Sequence, residues 1–239
     1  MSRRPPRRPA SRPAKQPHSA GNSSGEKPQP LRVIGGRWRG TPLAYHGDPV
    51  TRPMKHRVRE AIFNLVGPAV KGTYALDLFA GTGAIGIEAL SRGATRALFI
   101  ERHLPTAAIV KENLARVDAV DCSQVLTTNT LLWAKRDLDA FAQANRSREP
   151  WTAFVSPPYA LFVDQADAMI RLVSDLVAYA PVGSQIVVEA DERFDFAQLP
   201  GGVRADRHSA GWDVRHYAPA VVGVWYVNSS ATPPDEAPQ

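Results

Sequence analysis

The chain has a single cysteine, Cys122, among 239 residues, which excludes an intrachain disulfide framework and any metal cluster built on several cysteines. A reducing, intracellular setting fits that count, and a cytoplasmic location with no bound metal is expected. No apolar run approaches the roughly 20 residues needed to cross a bilayer, and the arginine-rich start is not followed by the apolar stretch of a signal peptide. No membrane partner is expected. Negative charge is scarce at the front: residues 1–30 carry seven Arg and Lys against one Glu, and residues 31–60 carry seven against two. The remaining 179 residues are mildly acidic, with 15 basic against 20 acidic side chains. A basic front joined to an acidic body implies an anionic partner engaged from one side.

The length suits one α/β domain with appendages. Residues 1–30 are rich in Pro, Arg, Ser and Gly without apolar periodicity, so they are expected to form a disordered basic tail acting as an electrostatic tether to nucleic acid. Residues 31–68 read as a β-hairpin and a helix. In the hairpin, Arg37, Trp38 and Arg39 alternate charge with an aromatic, a pattern suited to phosphate contact with base stacking, although a lone Trp also suits packing. Pro53 opens the helix at Met54 to Val66, where Val58, Ala61, Ile62 and Leu65 make the apolar face. Lys55, Arg57 and Arg59 lie off that stripe and are candidate RNA contacts, with an ordinary solvated face as the alternative.

Residues 69–228 carry the chemistry. Tyr74 to Ala80 is apolar except for Asp77, as a strand buried on both faces of a parallel sheet would be. Gly81-Thr82-Gly83 then makes a turn into a helix over Ala84 to Leu90. The spacing Gly81-x-Gly83-x-x-Gly86 also fits a dinucleotide fingerprint, but an acid in the strand is an unhelpful neighbour for a pyrophosphate. S-adenosylmethionine has no phosphate and presents cations that Asp77 could help hold. A second strand, Ala97 to Glu101, ends in an acid suited to ribose hydroxyls, which serves either cofactor. A helix over Leu104 to Val117, with Ile109, Leu114 and Val117 inward, leads to a third strand, Gln124 to Thr128. Asn129 follows it, offering a donor and an acceptor to an adenine edge or simply forming a turn.

After a helix over Thr130 to Ala144, the strand from Trp151 runs into Ser156-Pro157-Pro158-Tyr159. The prolines stiffen that loop and remove amide donors, leaving carbonyls outward. An exocyclic base amine is a poor nucleophile because its lone pair is delocalised into the ring. Acceptors at Ser156 Oγ and the Pro157 carbonyl would hold its two N–H bonds and aim the lone pair at a sulfonium methyl, with Tyr159 stacked on the unpaired base. One long helix over Val163 to Tyr179, a buried strand over Ser184 to Ala190 and a hairpin, Val214 to Tyr217 with Val221 to Val227, complete the unit. Residues 229–239 are expected to be disordered.

The order Asp77-x-x-x-Gly81-x-Gly83, Glu101, Ser156-Pro157-Pro158-Tyr159 resembles the class I S-adenosylmethionine-dependent methyltransferases that modify exocyclic amines. More narrowly, Arg32-Val-Ile-Gly-Gly-Arg-Trp-Arg-Gly40, Arg52-Pro53 with Arg57-Val-Arg-Glu60, and Leu76 through Gly93 resemble the bacterial small-subunit (16S) rRNA guanine-N2 methyltransferases, over about residues 31–227. The resemblance implies a Rossmann-like α/β fold with a seven-stranded, mostly parallel sheet ending in an antiparallel hairpin. It also implies cofactor contacts at Asp77, Phe79, Gly81, Gly83, Glu101 and Asn129, and Thr82 belongs to the same turn. The Arg52-Pro53 segment would close over the cofactor. The partner implied is rRNA or the small ribosomal subunit, engaged by a monomer. The family usually has Asp where this chain has Ser156, and Thr where it has Met54. Ser-Pro-Pro-Tyr is also similar to the motif of DNA cytosine-N4 methyltransferases, so a DNA amino-methyltransferase is an alternative. A non-catalytic RNA-binding or assembly factor on the same scaffold is another, and an NAD-dependent oxidoreductase is disfavoured by Asp77.

Overall fold

Short apolar segments bounded by glycine and proline fold as strands, and the longer segments with a 3.6-residue period fold as helices between them. The computed structural model describes residues 31–45, 56–145, 149–206 and 208–228. The elements in chain order are α1 (His56–Val66), β1 (Tyr74–Asp77), α2 (Ala84–Ser91), β2 (Arg96–Ile100), α3 (Leu104–Arg116), β3 (Ser123–Leu126), α4 (Thr130–Asn145), β4 (Trp151–Val155), α5 (Leu161–Asp164), α6 (Ala166–Tyr179), β5 (Gln185–Asp191), β6 (Asp213–Tyr217) and β7 (Ala220–Tyr226).

The seven strands form one sheet in the order β3-β2-β1-β4-β5-β7-β6. The first five are parallel, β7 runs antiparallel to β5, and β6 runs antiparallel to β7. β1 and β4 are buried at every position, as central strands covered on both faces must be. Alternate residues along each strand feed two cores. Ala75, Phe99, Phe154 and Val187 meet α1, α2 and α3 on one face, whereas Leu76, Leu98, Val155 and Val188 meet α4 and α6 on the other. Each fully buried Leu, Ile, Val or Phe in these layers contributes roughly 1.5–3 kcal/mol.

The expected seven-stranded sheet with its antiparallel terminal hairpin is borne out. The expected apolar face of α1 is also present: Val58, Ala61 and Ile62 are buried, and Leu65 packs half-buried at its edge. α1 ends at Val66 as expected, and a 3-10 turn, Gly67–Val70, follows it. Val163 to Tyr179 is two helices instead of one, because Gln165 leaves helical geometry at φ −136°, ψ 41°. At the front, Val33 N donates to Thr41 O at 3.0 Å and Leu43 N to Leu31 O at 2.9 Å. These bonds close the expected hairpin, but its ladder is a single Arg32–Pro42 bridge. It is held to α2 by buried Glu88, which accepts the Ile34 and Gly35 amides at 2.7 Å each.

Candidate active site

The chain order reverses between β1 and β4, and in such sheets ligands occupy the crevice beyond the carboxyl ends of the strands at the reversal. Both informative stretches end there. β1 stops at Asp77, short of the expected Ala80, and residues 78–83 form the turn. The turn remains tied to the sheet: Leu78 N donates to Phe154 O at 3.1 Å, and Ala80 N to Ile100 O at 2.9 Å. Gly83 caps α2 with φ 77°, a left-handed conformation that disfavours residues with a Cβ. Gly86 has no Cβ for a packing reason, since one there would lie 2.3 Å from the Phe99 ring.

Asp77 is buried and accepts the Gly86 amide at 3.1 Å. Burial pushes its carboxyl up to about 7, with the Gly86 N–H pulling down and the neighbouring Glu101 charge pushing up. Glu101, just past β2, accepts the Gly81 amide at 2.9 Å through Oε2 and the His103 amide at 2.8 Å through Oε1. Glu101 therefore grips the glycine turn, and Asp77 the first turn of the helix that follows it. Thr82 is buried, and its carbonyl accepts Asn113 Nδ2 at 3.0 Å. Asn113 also accepts the Ala44 amide at 2.6 Å, joining the turn to the hairpin. Phe79 is half-buried against the α4 layer. Asn129 is exposed and its Oδ1 accepts the Leu132 amide at 3.1 Å. That bond caps α4 with one lone pair of Oδ1, the turn-forming alternative, and leaves the second lone pair and the Nδ2 donor for an adenine edge.

Beyond β4, Pro157 is buried and Ser156 and Tyr159 are half-buried. β4 and β5 are in register at Val155–Val188, so the next step places Ser156 beside Glu189. Ser156 Oγ donates to Glu189 Oε2, and the Tyr159 hydroxyl donates to Glu189 Oε1 at 2.7 Å. Burial raises the Glu189 carboxyl while the two hydroxyls lower it. The Tyr159 phenol is raised, first by burial and then by the Glu189 charge. Sequence reasoning missed Glu189. The signal was present, because an otherwise apolar strand ending in an acid is the pattern that singled out Asp77 and Glu101.

Among the candidate RNA contacts, Arg37, Arg39 and Arg57 are exposed. Trp38 is half-buried against the core, with the Arg37 guanidinium 4.0 Å from its ring centroid. Arg59 is a correction: it is 1% exposed and donates Nη2 to Arg32 O at 2.5 Å, so it does not face RNA. It points inward because the hairpin carbonyl and the Glu88 charge lie on that side, the latter opposing the burial that lowers its pKa. Arg52, Pro53 and Lys55 lie outside the described residues, as do the two terminal segments. A surface hollow of about 460 Å³ lined by Arg37, Gly93, Asp118 and Cys122 sits at the amino ends of β2 and β3, opposite the acid-bearing carboxyl ends of β1 and β2. Among the described residues no group of three or more His, Cys, Asp or Glu could hold a metal ion, and no helix is long and apolar enough to cross a membrane.

A doubly wound sheet of this order, with an acid-anchored glycine turn and a Ser-Pro-Pro-Tyr loop across its reversal point, defines a Rossmann-like class I methyltransferase. A model described as Conserved hypothetical protein 95 matches residues 31–213. The chain belongs to that family, and the resemblance drawn from its motifs is borne out. YlbH of Bacillus subtilis (strain 168), provisionally named an rRNA methyltransferase, is 33% identical over 171 residues, covering 72% of this chain and 88% of that protein. Ribosomal RNA small subunit methyltransferase D of Escherichia coli (strain K12) is 36% identical over 129 residues, 54% of this chain and 60% of that protein. A hypothetical protein of Thermus thermophilus superposes with a TM-score of 0.61 at 25% identity, over 82% of this chain and 99% of that one.

Proposed function

We propose that the protein transfers the methyl group of S-adenosylmethionine to the exocyclic N2 amine of an unpaired guanine in small-subunit rRNA. The observation that carries this reading is the meeting, at one reversal point, of a cation-suited turn and an amine-suited loop. The names of the rRNA methyltransferase relatives support the substrate class, and the Arg32–Gly40 and Arg57–Glu60 motifs support the guanine assignment.

The residues present fit the cofactor. Asp77 is a buried carboxyl whose ionisation a nearby cation would favour, and Glu101 offers a carboxylate to a ribose diol. Gly81, Thr82 and Gly83 let backbone approach the amino-acid portion closely. Phe79 and the Nδ2 donor of Asn129 bound the nucleoside end in this reading, and Arg52 and Pro53 close over it. When bound, S-adenosylmethionine supplies an electrophilic methyl whose bond to sulfur breaks as the N–C bond forms, leaving a neutral thioether.

The chain's own residues prepare the amine. Ser156 Oγ and the Pro157 carbonyl accept its two N–H bonds, which disfavours conjugation with the ring and turns the lone pair outward. Tyr159 stacks on the base, and the prolines hold this geometry before substrate arrives, so little is spent on ordering it. In this reading Arg37, Arg39, Arg57 and Lys55 supply phosphate contacts, that of Arg37 at the end of the sheet away from the crevice. Turnover and cofactor binding, measured separately, test the reading. Ser156→Ala and Tyr159→Ala should each lower turnover about tenfold or more with cofactor affinity held, whereas Asp77→Ala should weaken cofactor binding. Full turnover in the first two variants would sink the role given to the loop.

A further inference from the structure

Glu189 is absent from every motif that identifies the site, yet it is the only side chain given a hydrogen bond by both hydroxyls of the Ser-Pro-Pro-Tyr loop among the described residues. Its Oε2 accepts from Ser156 Oγ and its Oε1 from the Tyr159 hydroxyl at 2.7 Å. It is 6% exposed at the carboxyl end of β5, on a strand otherwise apolar from Ile186 to Ala190. A carboxylate left in such a place without those donors would be costly, and with them it is held in one orientation. The loop in turn is held by a strand that the loop's own sequence does not contain.

A serine hydroxyl can donate or accept, and donating toward an amine would be unproductive, because the amine's lone pair must remain available for the methyl. Glu189 removes that ambiguity. With the Oγ proton directed to Oε2, the remaining lone pairs of Oγ face outward as acceptors, and the carboxylate's charge strengthens them along the hydrogen-bonded chain. We propose that Glu189 is the positioning residue of this site, orienting and polarising Ser156 so that its Oγ accepts from the amine rather than donating to it. This rests on the reading of the site as an exocyclic-amine methyltransferase.

The same chain gives the released proton a route. After transfer the nitrogen is an ammonium; its N–H proton moves to Ser156 Oγ as the Oγ proton moves to Glu189. The carboxyl is then neutral until water takes the proton, and the amine has lost the charge it gained. Burial, which raises the Glu189 carboxyl, makes it a better resting place for that proton.

A double-mutant cycle in the full-length protein tests the proposal, with transfer to unmodified small-subunit rRNA as the assay. Glu189→Gln preserves shape, removes the charge and turns the oxygen facing Ser156 into a donor while the other still accepts from Tyr159. It should lower kcat about tenfold or more, with KM for RNA, RNA binding without cofactor, cofactor affinity and Tm all close to those of the unaltered protein. In a Ser156→Ala background the same change should cost less than about twofold, because the amide oxygen of Gln still accepts from Tyr159 and the action through Ser156 is already gone. Losses that multiply instead, or Glu189→Gln at full kcat, would overturn the positioning role while leaving the methyltransferase reading standing. A fall in Tm and in RNA binding that matches the fall in kcat would also overturn it, by making Glu189 a structural support. An unaltered protein that transfers no methyl group to any RNA would remove the underlying reading, and this proposal with it.

Discussion

Glu101 Oε2 accepts the backbone N–H of Gly81 at 2.9 Å, so the acid that ends β2 is fastened to the turn that ends β1. A carboxylate that holds its neighbour's turn through one oxygen is already oriented when a ribose diol reaches it. Glu101→Ala removes both the diol's acceptor and the turn's anchor. Hydrogen bonds to charged groups contribute about 1.5–3 kcal/mol, so cofactor affinity should fall by roughly tenfold to a hundredfold in calorimetric titration. RNA affinity should be unchanged if Glu101 serves the cofactor as proposed.

Asp77 makes cofactor binding depend on pH. Its carboxyl, raised by burial from 3.8 to about 7, is neutral in a growing fraction of molecules as pH falls below 7. The folded protein retains a proton that the unfolded chain has already released, so this group's contribution to stability is fully present below about pH 3.8 and is lost as pH rises toward 7. A bound cation reverses the preference by favouring the carboxylate. Affinity for S-adenosylmethionine should therefore weaken between pH 7 and pH 5.5, by up to about tenfold per unit, and the slope should vanish in Asp77→Asn. A slope equal in both proteins would remove Asp77 from the site.

Glu88 holds the hairpin. It is fully buried on α2, accepts the Ile34 and Gly35 amides, and pairs with Arg92 Nε at 2.7 Å. Glu88→Ala leaves two amides and a guanidinium without their acceptor, a loss of about 3 kcal/mol or more. Thermal melting should report a lower Tm, and limited proteolysis should cut first within residues 31–45.

The seven basic side chains of residues 1–30 predict a salt effect that needs no structure. Releasing counterions from RNA phosphates makes affinity fall steeply with salt. A chain lacking residues 1–30 should bind small-subunit RNA more weakly at low salt, with a shallower dependence. Equal slopes with and without the segment would assign the electrostatic contact to Arg37, Arg39 and Arg57 instead.

What was legible in the sequence was local. The β1 turn, the Glu101 acid and the Ser-Pro-Pro-Tyr loop each announce themselves within ten residues, because a buried strand, a glycine turn and an odd polar residue are written consecutively. The sheet followed from strands alternating with helices. What was not legible depends on partners distant in the chain. Glu189 meets Ser156 across 33 residues through the β4–β5 register. Arg59 sits beside the apolar stripe of α1 and would be solvated on an isolated helix. Only the docking of the hairpin, which brings the Arg32 carbonyl to it, turns it inward. Asn129 was read both for its chemistry and as a turn former, and the bond its Oδ1 accepts from the Leu132 amide at the start of α4 is of the second kind. The break at Gln165 has no glycine or proline to mark it.

The most direct measurement is identification of the methylated nucleoside. The full-length protein is incubated with S-adenosylmethionine labelled in its methyl group and unmodified small-subunit rRNA, free or in subunits, and the product is digested to nucleosides. The account predicts label in N2-methylguanosine, abolished or much reduced in Ser156→Ala. Label in another base would contradict the guanine assignment, and no label on any RNA, with cofactor still bound, would contradict the central claim.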